Sequence, residues 1–447
     1  MTKIAIKLCV FRILAANDII HHGFNLYFCS IMKNFLLFRS TVFSFLLLFC
    51  FFACSTAQNP SEVKVQRQDS NGLAQSSRLT VGAERTELYF PELLGKRVGL
   101  VANHSSRVKK HHLLDSLLSA KINVVKIFTP EHGFRGEADA GENVRDEIDL
   151  KTGTPIVSLY GNNKKPADVQ MQNIDIMVFD IQDVGARFYT YISTLHYIME
   201  ACAEHQILLI VLDRPNPNGF YVDGPILEKK YHSFVGMHPV PVVHGMTIGE
   251  YAAMINSEGW LNNMEKDFTK KKLLCELTII RMKNYTHKME YSLPIKPSPN
   301  LPNDQAINLY PSLCFFEGTF INAGRGTDMQ FQVFGAPSLP ASKYTFEYTP
   351  QSNEGAKDPK FKGQLCHGKD LRKEPRLNKI NLEWLIDAYN ANGKKKDFFN
   401  SFFVKLAGTD KLQKQIEQGL SAEEIRDSWK AGLENFKEIR KKYLLYD

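Results

Sequence analysis

Val124-Val125-Lys126-Ile127-Phe128-Thr129-Pro130-Glu131-His132-Gly133-Phe134-Arg135-Gly136 begins as an apolar run and ends as a charged loop with two glycines. The run reads as a buried strand. The loop gathers an acid, an imidazole and a guanidinium where that strand stops. Glycines let backbone approach a ligand closely, and open α/β folds bind small molecules at the carboxyl ends of parallel strands. A turn with merely solvated charges would look the same, so the repetition of the pattern along the chain has to decide.

The pattern does repeat. Residues 94–102 form an earlier strand candidate that ends in Asn103-His104-Ser105-Ser106, and residues 113–118 have helical apolar spacing. Residues 156–159 lead to Tyr160-Gly161, and residues 174–179 lead to Asp180-Ile181-Gln182-Asp183-Val184-Gly185-Ala186-Arg187. Ile192, Leu195, Ile198, Met199 and Cys202 mark one face of a helix. Residues 207–212 end at Asp213-Arg214-Pro215-Asn216. Strands alternating with helices imply an α/β fold with a Rossmann-like, doubly wound, mostly parallel sheet. All these loops would then emerge on one edge. Asp213 could be turn chemistry and Asp180 a helix cap, yet polar residues at the ends of five apolar strands are hard to explain as turns alone. No Gly-x-Gly-x-x-Gly follows the first strand, which argues against a dinucleotide cofactor.

A helix is expected from Met246-Thr247 to Gly259-Trp260, with Thr247 and Glu250 spaced as a capping box, and residues 277–281 give a further strand. Beyond it Pro294, Pro297, Pro299 and Pro302 punctuate an extended segment. Gly324-Arg325-Gly326-Thr327-Asp328 is a tight turn that could aim a guanidinium at an anion, or simply hold a surface ion pair. The last third reads as a smaller α+β domain: a strand at residues 344–348, a helix at 382–392, and a last helix capped by Ser421 whose apolar stripe runs from Ile425 to Tyr443.

The chain's start is of another kind. Lys33 and Arg39 flank a short apolar core at residues 42–52, followed by Ala53-Cys54. That is a secretory signal, with Cys54 as the lipidated first residue of a lipoprotein; a plain signal peptide cut nearby is the alternative, given Phe51 and Phe52. Residues 1–31 read as an overcalled start, residues 32–53 as the signal, and residues 54–78 as a polar tether. The Rossmann-like domain is then expected over residues 79–285 and the C-terminal domain over 286–447. The leader's five Lys or Arg against one Asp account for four of the seven formal positive charges. The remainder is nearly balanced, so nothing suggests nucleic acid. Cys202, Cys275, Cys314 and Cys366 lack metal-ligand spacing and read as small buried hydrophobes.

An acid in a loop with imidazole and guanidinium suits hydrolysis of a polar substrate. Glycoside cleavage needs an acid to protonate the leaving oxygen and a second group as base or nucleophile. Glu131 is the candidate acid, and the second group could be a nearby acid such as Asp183 or a tyrosine such as Tyr160 or Tyr189. His132 joins the catalytic candidates; Asn103, His104, Arg135, Tyr160, Asp180, Arg187, Asp213, Asn216, Arg325 and Asp328 are candidates for binding. Two other classes stay open: a hydrolase with a divalent ion held by Asp180, Asp183 and Asp213, and a non-catalytic wall-binding lipoprotein.

The motifs around Glu131, residues 180–191, Asp213-Arg214-Pro215-Asn216-Pro217, His244-Gly245-Met246-Thr247, Pro297-Ser298-Pro299-Asn300-Leu301-Pro302 and residues 324–328 resemble, in order, the exo-β-N-acetylmuramidases of the NamZ type. The resemblance covers about residue 79 to the C-terminus. It implies a Rossmann-like domain joined to a smaller C-terminal domain with the active site in the cleft between them. It implies release of N-acetylmuramic acid from the non-reducing end of peptidoglycan fragments with no metal or organic cofactor, and Glu131 as catalytic acid. Muramic acid carries a lactyl carboxylate, for which Arg187 and Arg325, one from each domain, are the expected cations. With the leader, these expectations put the protein in the periplasm or on the outer membrane, anchored by lipid at Cys54.

Overall fold

Along residues 98–102 alternate side chains meet different neighbours, and none is exposed. Val98, Leu100 and Ala102 pack with Tyr89, Leu93 and Leu117 on one side, while Val101 packs with Phe128, Phe179 and Val211 on the other. A strand buried on both faces has to sit inside a sheet covered twice, and each Val or Leu so buried is worth about 1.5–3 kcal/mol.

The computed structural model describes residues 64–65, 78–131, 133–134, 147–261 and 273–447. Within it the main sheet comprises β1 (Lys64–Val65), β2 (Arg97–Ala102), β3 (Asn123–Thr129), β4 (Glu147–Ile148), β5 (Pro155–Ser158), β6 (Ile176–Asp180), β7 (Leu208–Leu212) and β8 (Leu277–Ile280). Its spatial order is β1-β8-β7-β6-β2-β3-β5-β4, parallel throughout except for the β4–β5 edge. The chain therefore leaves β2 in one direction through β3 and β5, then returns to β6 and leaves in the other. The reversal falls between β2 and β6, and ligands of doubly wound sheets bind at such a switch point. β1 lies in the stretch read as tether and pairs with Thr278 and Ile279.

Helices α1 (Thr86–Leu93) and α2 (Leu113–Ser119) cover one face of the sheet; α3 (Tyr191–His205) and α4 (Ile248–Ser257) cover the other. α3 buries the stripe Ile192, Leu195, Ile198, Met199 and Cys202, and stops where Gln206 turns left-handed at φ 54°. α4 starts on the expected capping box, Thr247 and Glu250 exchanging backbone and side-chain hydrogen bonds.

The second core does not end with α4. It continues through α5 (Asp304–Leu313), α6 (Glu383–Ala391) and the last helices, so residues 61–447 form one compact unit. The C-terminal part adds a smaller antiparallel sheet of order β9-β11-β10, from β9 (Val333–Ala336), β10 (Phe346–Tyr348) and β11 (Cys366–Asp370).

Directly after the proline-punctuated segment comes a helix that the sequence reading did not give: Asn303 caps α5 through Ala306 N–H, and Pro311 sits inside it. One expectation needs correction. The last helix is two, α7 (Ala422–Asp427) and α8 (Lys430–Lys441), since Ser428 turns its hydroxyl back onto the Ile425 carbonyl at the break.

Candidate active site

The loops after β3, β5 and β6 open into a cavity of about 970 Å³ whose far wall comes from the C-terminal part. That volume lies at the upper end of the usual range for small-molecule sites. Glu131 leaves β3 into it, Tyr160 follows β5, and Tyr189 and Tyr191 follow β6. Opposite them, α5 brings Tyr310 and its 3-10 extension (Cys314–Gly318) brings Glu317; the turn after it brings Arg325.

Arg325 is held from several sides. Gly324 and Gly326 both take positive φ, 79° and 81°, so the arginine stands between two left-handed residues that only glycine adopts cheaply. Its Nε lies 3.2 Å from a Glu317 carboxylate oxygen, an Nη donates to Gly355 O, and its guanidinium stands 5.7 Å from the Phe331 ring centre. Burial depresses its basicity, and the Glu317 carboxylate, followed by Tyr310, Cys314 and Glu131, together more than restore it. The field of Glu131 also reaches Tyr191. Arg325 thus stands within the fields of two of the cavity's carboxylates, Glu131 and Glu317.

Glu317 is fixed by a second cation. The Lys360 ammonium donates to the carbonyls of Phe316, Glu317, Thr319 and Ile321 at 2.8–3.2 Å. Burial pushes its pKa down. The 3-10 extension with Glu317 is therefore wrapped around a lysine.

Of the residues expected in the site, Glu131, Tyr160, Tyr189 and Arg325 line this cavity. His132 and Arg135 lie outside the described residues, as does Cys54. Tyr189 donates its hydroxyl to Pro297 O at 2.8 Å, and burial first, then the neighbouring Tyr191, raises its pKa well above the ordinary phenol value. Such a phenol is a hydrogen-bonded wall and a poor base. His104 meets the Lys296 carbonyl at 2.8 Å, and Asp328 is exposed on its turn; neither lines the cavity.

Several expected binding residues instead build the fold. Arg187 is fully buried, and its two Nη atoms donate to the carbonyls of Pro225, Val240, Leu406 and Ala407 at 2.6–3.0 Å. Its guanidinium is committed to backbone and does not reach a substrate carboxylate. Asp180 is buried in a bidentate pair with Arg214 at 2.5 and 2.8 Å. Asp213 accepts from Thr247, Gly249, Arg214 N–H and Tyr446. Asn216 ties Met246 O to Asn218 N–H, against a Gly185 at φ 76° where a Cβ would stand 2.2 Å from the Asn216 amide. Asn103 donates to the Tyr191 hydroxyl at 3.0 Å and so supports the wall from behind.

Asp183 sits behind the same wall. One carboxylate oxygen accepts Gly185 N–H at 2.6 Å, the other has no hydrogen-bond partner among the described residues, and burial pushes its pKa up to about 7. It does not line the cavity. The aspartate-held metal site also fails on geometry: among the described residues no three His, Cys, Asp or Glu side chains gather, and Asp180 and Asp213 are saturated by protein donors.

Reading the sequence missed Tyr191, Tyr310, Glu317 and Lys360. Glu317 stands in an apolar stretch with no neighbouring imidazole or guanidinium to mark it, and nothing in a lone Lys360 signals four carbonyls.

Comparison with known proteins matches this arrangement. Residues 98–305 match "Exo-beta-N-acetylmuramidase NamZ, N-terminal" and residues 308–446 its C-terminal counterpart. The chain is 38% identical over 437 residues to the peptidoglycan beta-N-acetylmuramidase NamZ of Bacillus subtilis, covering 91% of this chain and all of that one. Two crystal structures of DUF1343 family proteins from Bacteroides fragilis are similar. One is 48% identical with TM-score 0.74, covering 83% of this chain and 99% of that chain; the other is 28% identical with TM-score 0.71, covering 83% and 100%. Two matches that meet within α5, where the sheet's last connection hands over to the far wall of the cavity, mean that the chain belongs to the exo-β-N-acetylmuramidase NamZ family.

Proposed function

We propose that the protein is a glycoside hydrolase that removes N-acetylmuramic acid from the non-reducing end of peptidoglycan fragments. What carries the reading is a cavity large enough for a sugar residue with its substituents, with Glu131 on the sheet side and Arg325 on the other. Glu131 protonates the glycosidic oxygen as it leaves. Arg325 pairs with the lactyl carboxylate, which separates muramic acid from glucosamine; its planar donors suit a carboxylate and its turn holds it in place. Tyr189 and Tyr191 form an aromatic wall beside the sugar, ring centres 4.8 Å apart. The leader ending at Cys54 supports a lipid-anchored protein in the periplasm or at the outer membrane, where such fragments are found.

The test uses chromogenic β-glycosides of N-acetylmuramic acid and N-acetylglucosamine with wild type, Glu131→Gln and Arg325→Ala. The expected result is release from the muramic substrate, a fall of about 10²–10⁴-fold in kcat for Glu131→Gln, and loss of the muramic preference for Arg325→Ala. Tight binding of muramyl sugars without release would favour a wall-binding protein instead.

A further inference from the structure

We propose that Glu317 is the second catalytic carboxylate of this hydrolase. The inference rests on the muramidase reading and adds the group that reading leaves open. Among the described residues three acids line the cavity: Glu131, Glu317 and Asp358; Glu137, Asp139 and Glu142, which follow Glu131 in the sequence, lie outside the described residues. Asp358 is exposed at the rim. Asp183, the acid expected from the sequence, lies behind the wall. Among the described residues Glu317 is the acid that the C-terminal part brings to the body of the cavity, and the chain spends two cations on it: Arg325 at 3.2 Å on its carboxylate and Lys360 on the carbonyls of its turn. Groups that act on a reacting atom have to be held to within fractions of an ångström, and this double bracing has no other evident object.

Glu317, its carboxylate 3.2 Å from the Arg325 guanidinium, is placed to take a proton, which leaves the donor's part to Glu131. The step balances. Water oxygen bonds to the anomeric carbon and its proton passes to Glu317. The bond from that carbon to the aglycone oxygen breaks with both electrons going to oxygen, and oxygen takes the proton of Glu131. Glu131 ends ionised and Glu317 protonated, and exchange with solvent resets both. Arg325 then serves twice, as the cation that orients Glu317 and as the one that reads the lactyl group.

The test compares Glu317→Ala, Glu317→Gln and Glu131→Gln on muramic glycosides with a poor and an activated (dinitrophenyl) leaving group, with and without azide. A proton-donor variant keeps most of its activity on the activated substrate, whereas a variant lacking the base loses both. The expected result is a fall of about 10³-fold or more on both substrates for both Glu317 variants. Azide, which attacks without losing a proton, should restore turnover in Glu317→Ala and yield a glycosyl azide. Glu317→Gln keeps the side chain's size, so its unfolding temperature and its affinity for a muramyl disaccharide separate a folding defect from a chemical one. The proposal is overturned if folded Glu317→Gln works within about threefold of wild type, or if Glu317→Ala is dead on both substrates and azide restores nothing. If wild type releases no sugar at all, the muramidase reading fails instead.

Discussion

At the scale of single residues, the same side-chain type does opposite jobs according to where burial leaves it. Arg187 and Arg325 both stand near glycines in the sequence, and both read as hands for a carboxylate. Arg187 has its four Nη hydrogen bonds on backbone, so it is a rivet between the β6 loop and the short helix Phe403–Ala407. Arg325 keeps a face on the cavity. No local pattern separates them, because the difference lies in residues 219 and 220 positions away. Asp183 shows a third outcome, a carboxylate buried without enough donors. Its folded-state pKa of about 7 lies above the ordinary 3.8, so the folded state binds the proton more tightly. Stability from this group is full below about pH 4 and is lost as pH rises through 7. Asp183→Asn keeps an acceptor for Gly185 N–H and cannot ionise. The variant should therefore gain on wild type as pH rises from 4 to 8, by up to roughly 4 kcal/mol at the top. Urea unfolding at pH 5 and pH 8 checks this; parallel curves for the two proteins at both pH values would refute it.

At the scale of elements, the strands were legible and the walls were not. Strands β2, β3, β5, β6, β7 and β8 all fall within or overlap the apolar runs read from the sequence, because a strand buried on both faces has to be apolar throughout. Glu131 was legible because it stands directly after such a run. Tyr310 and Glu317 were not, since α5 hides behind four prolines and its own Pro311, and the extension that carries Glu317 is held by contacts remote in sequence. Lys360 is the clearest of those. Lys360→Met keeps the apolar stem and strands four carbonyls, so stability should fall by roughly 2–3 kcal/mol or more. Because the same turn carries Glu317, kcat should fall well before binding does. Calorimetry with a kcat and KM determination would show it; a variant with wild-type unfolding temperature and kcat would refute the bracing.

At the scale of the whole molecule, the two parts share one core, and the sequence boundary between them is a seam in function more than in packing. The last residues stitch it. Tyr446 donates to Asp213 at 2.6 Å and accepts Met282 N–H; Leu445 N–H reaches Glu250, itself paired with His287 at 3.0 Å; and Asp447 O accepts His287 N–H. Removing residues 444–447 would leave Asp213 and Glu250 each short of a donor at the end of the sheet. A truncated chain should lose roughly 3 kcal/mol or more, read as a lower midpoint in urea; an unchanged midpoint would refute this. The stitch also sets an order of events for a chain made from its N-terminus. The acids Asp213 and Glu250 are synthesised early and obtain their final donors from residues 445 and 446. Until those are made, each of the two buried acids is short of a donor, so the chain reaches its full stability only when its last residues are in place.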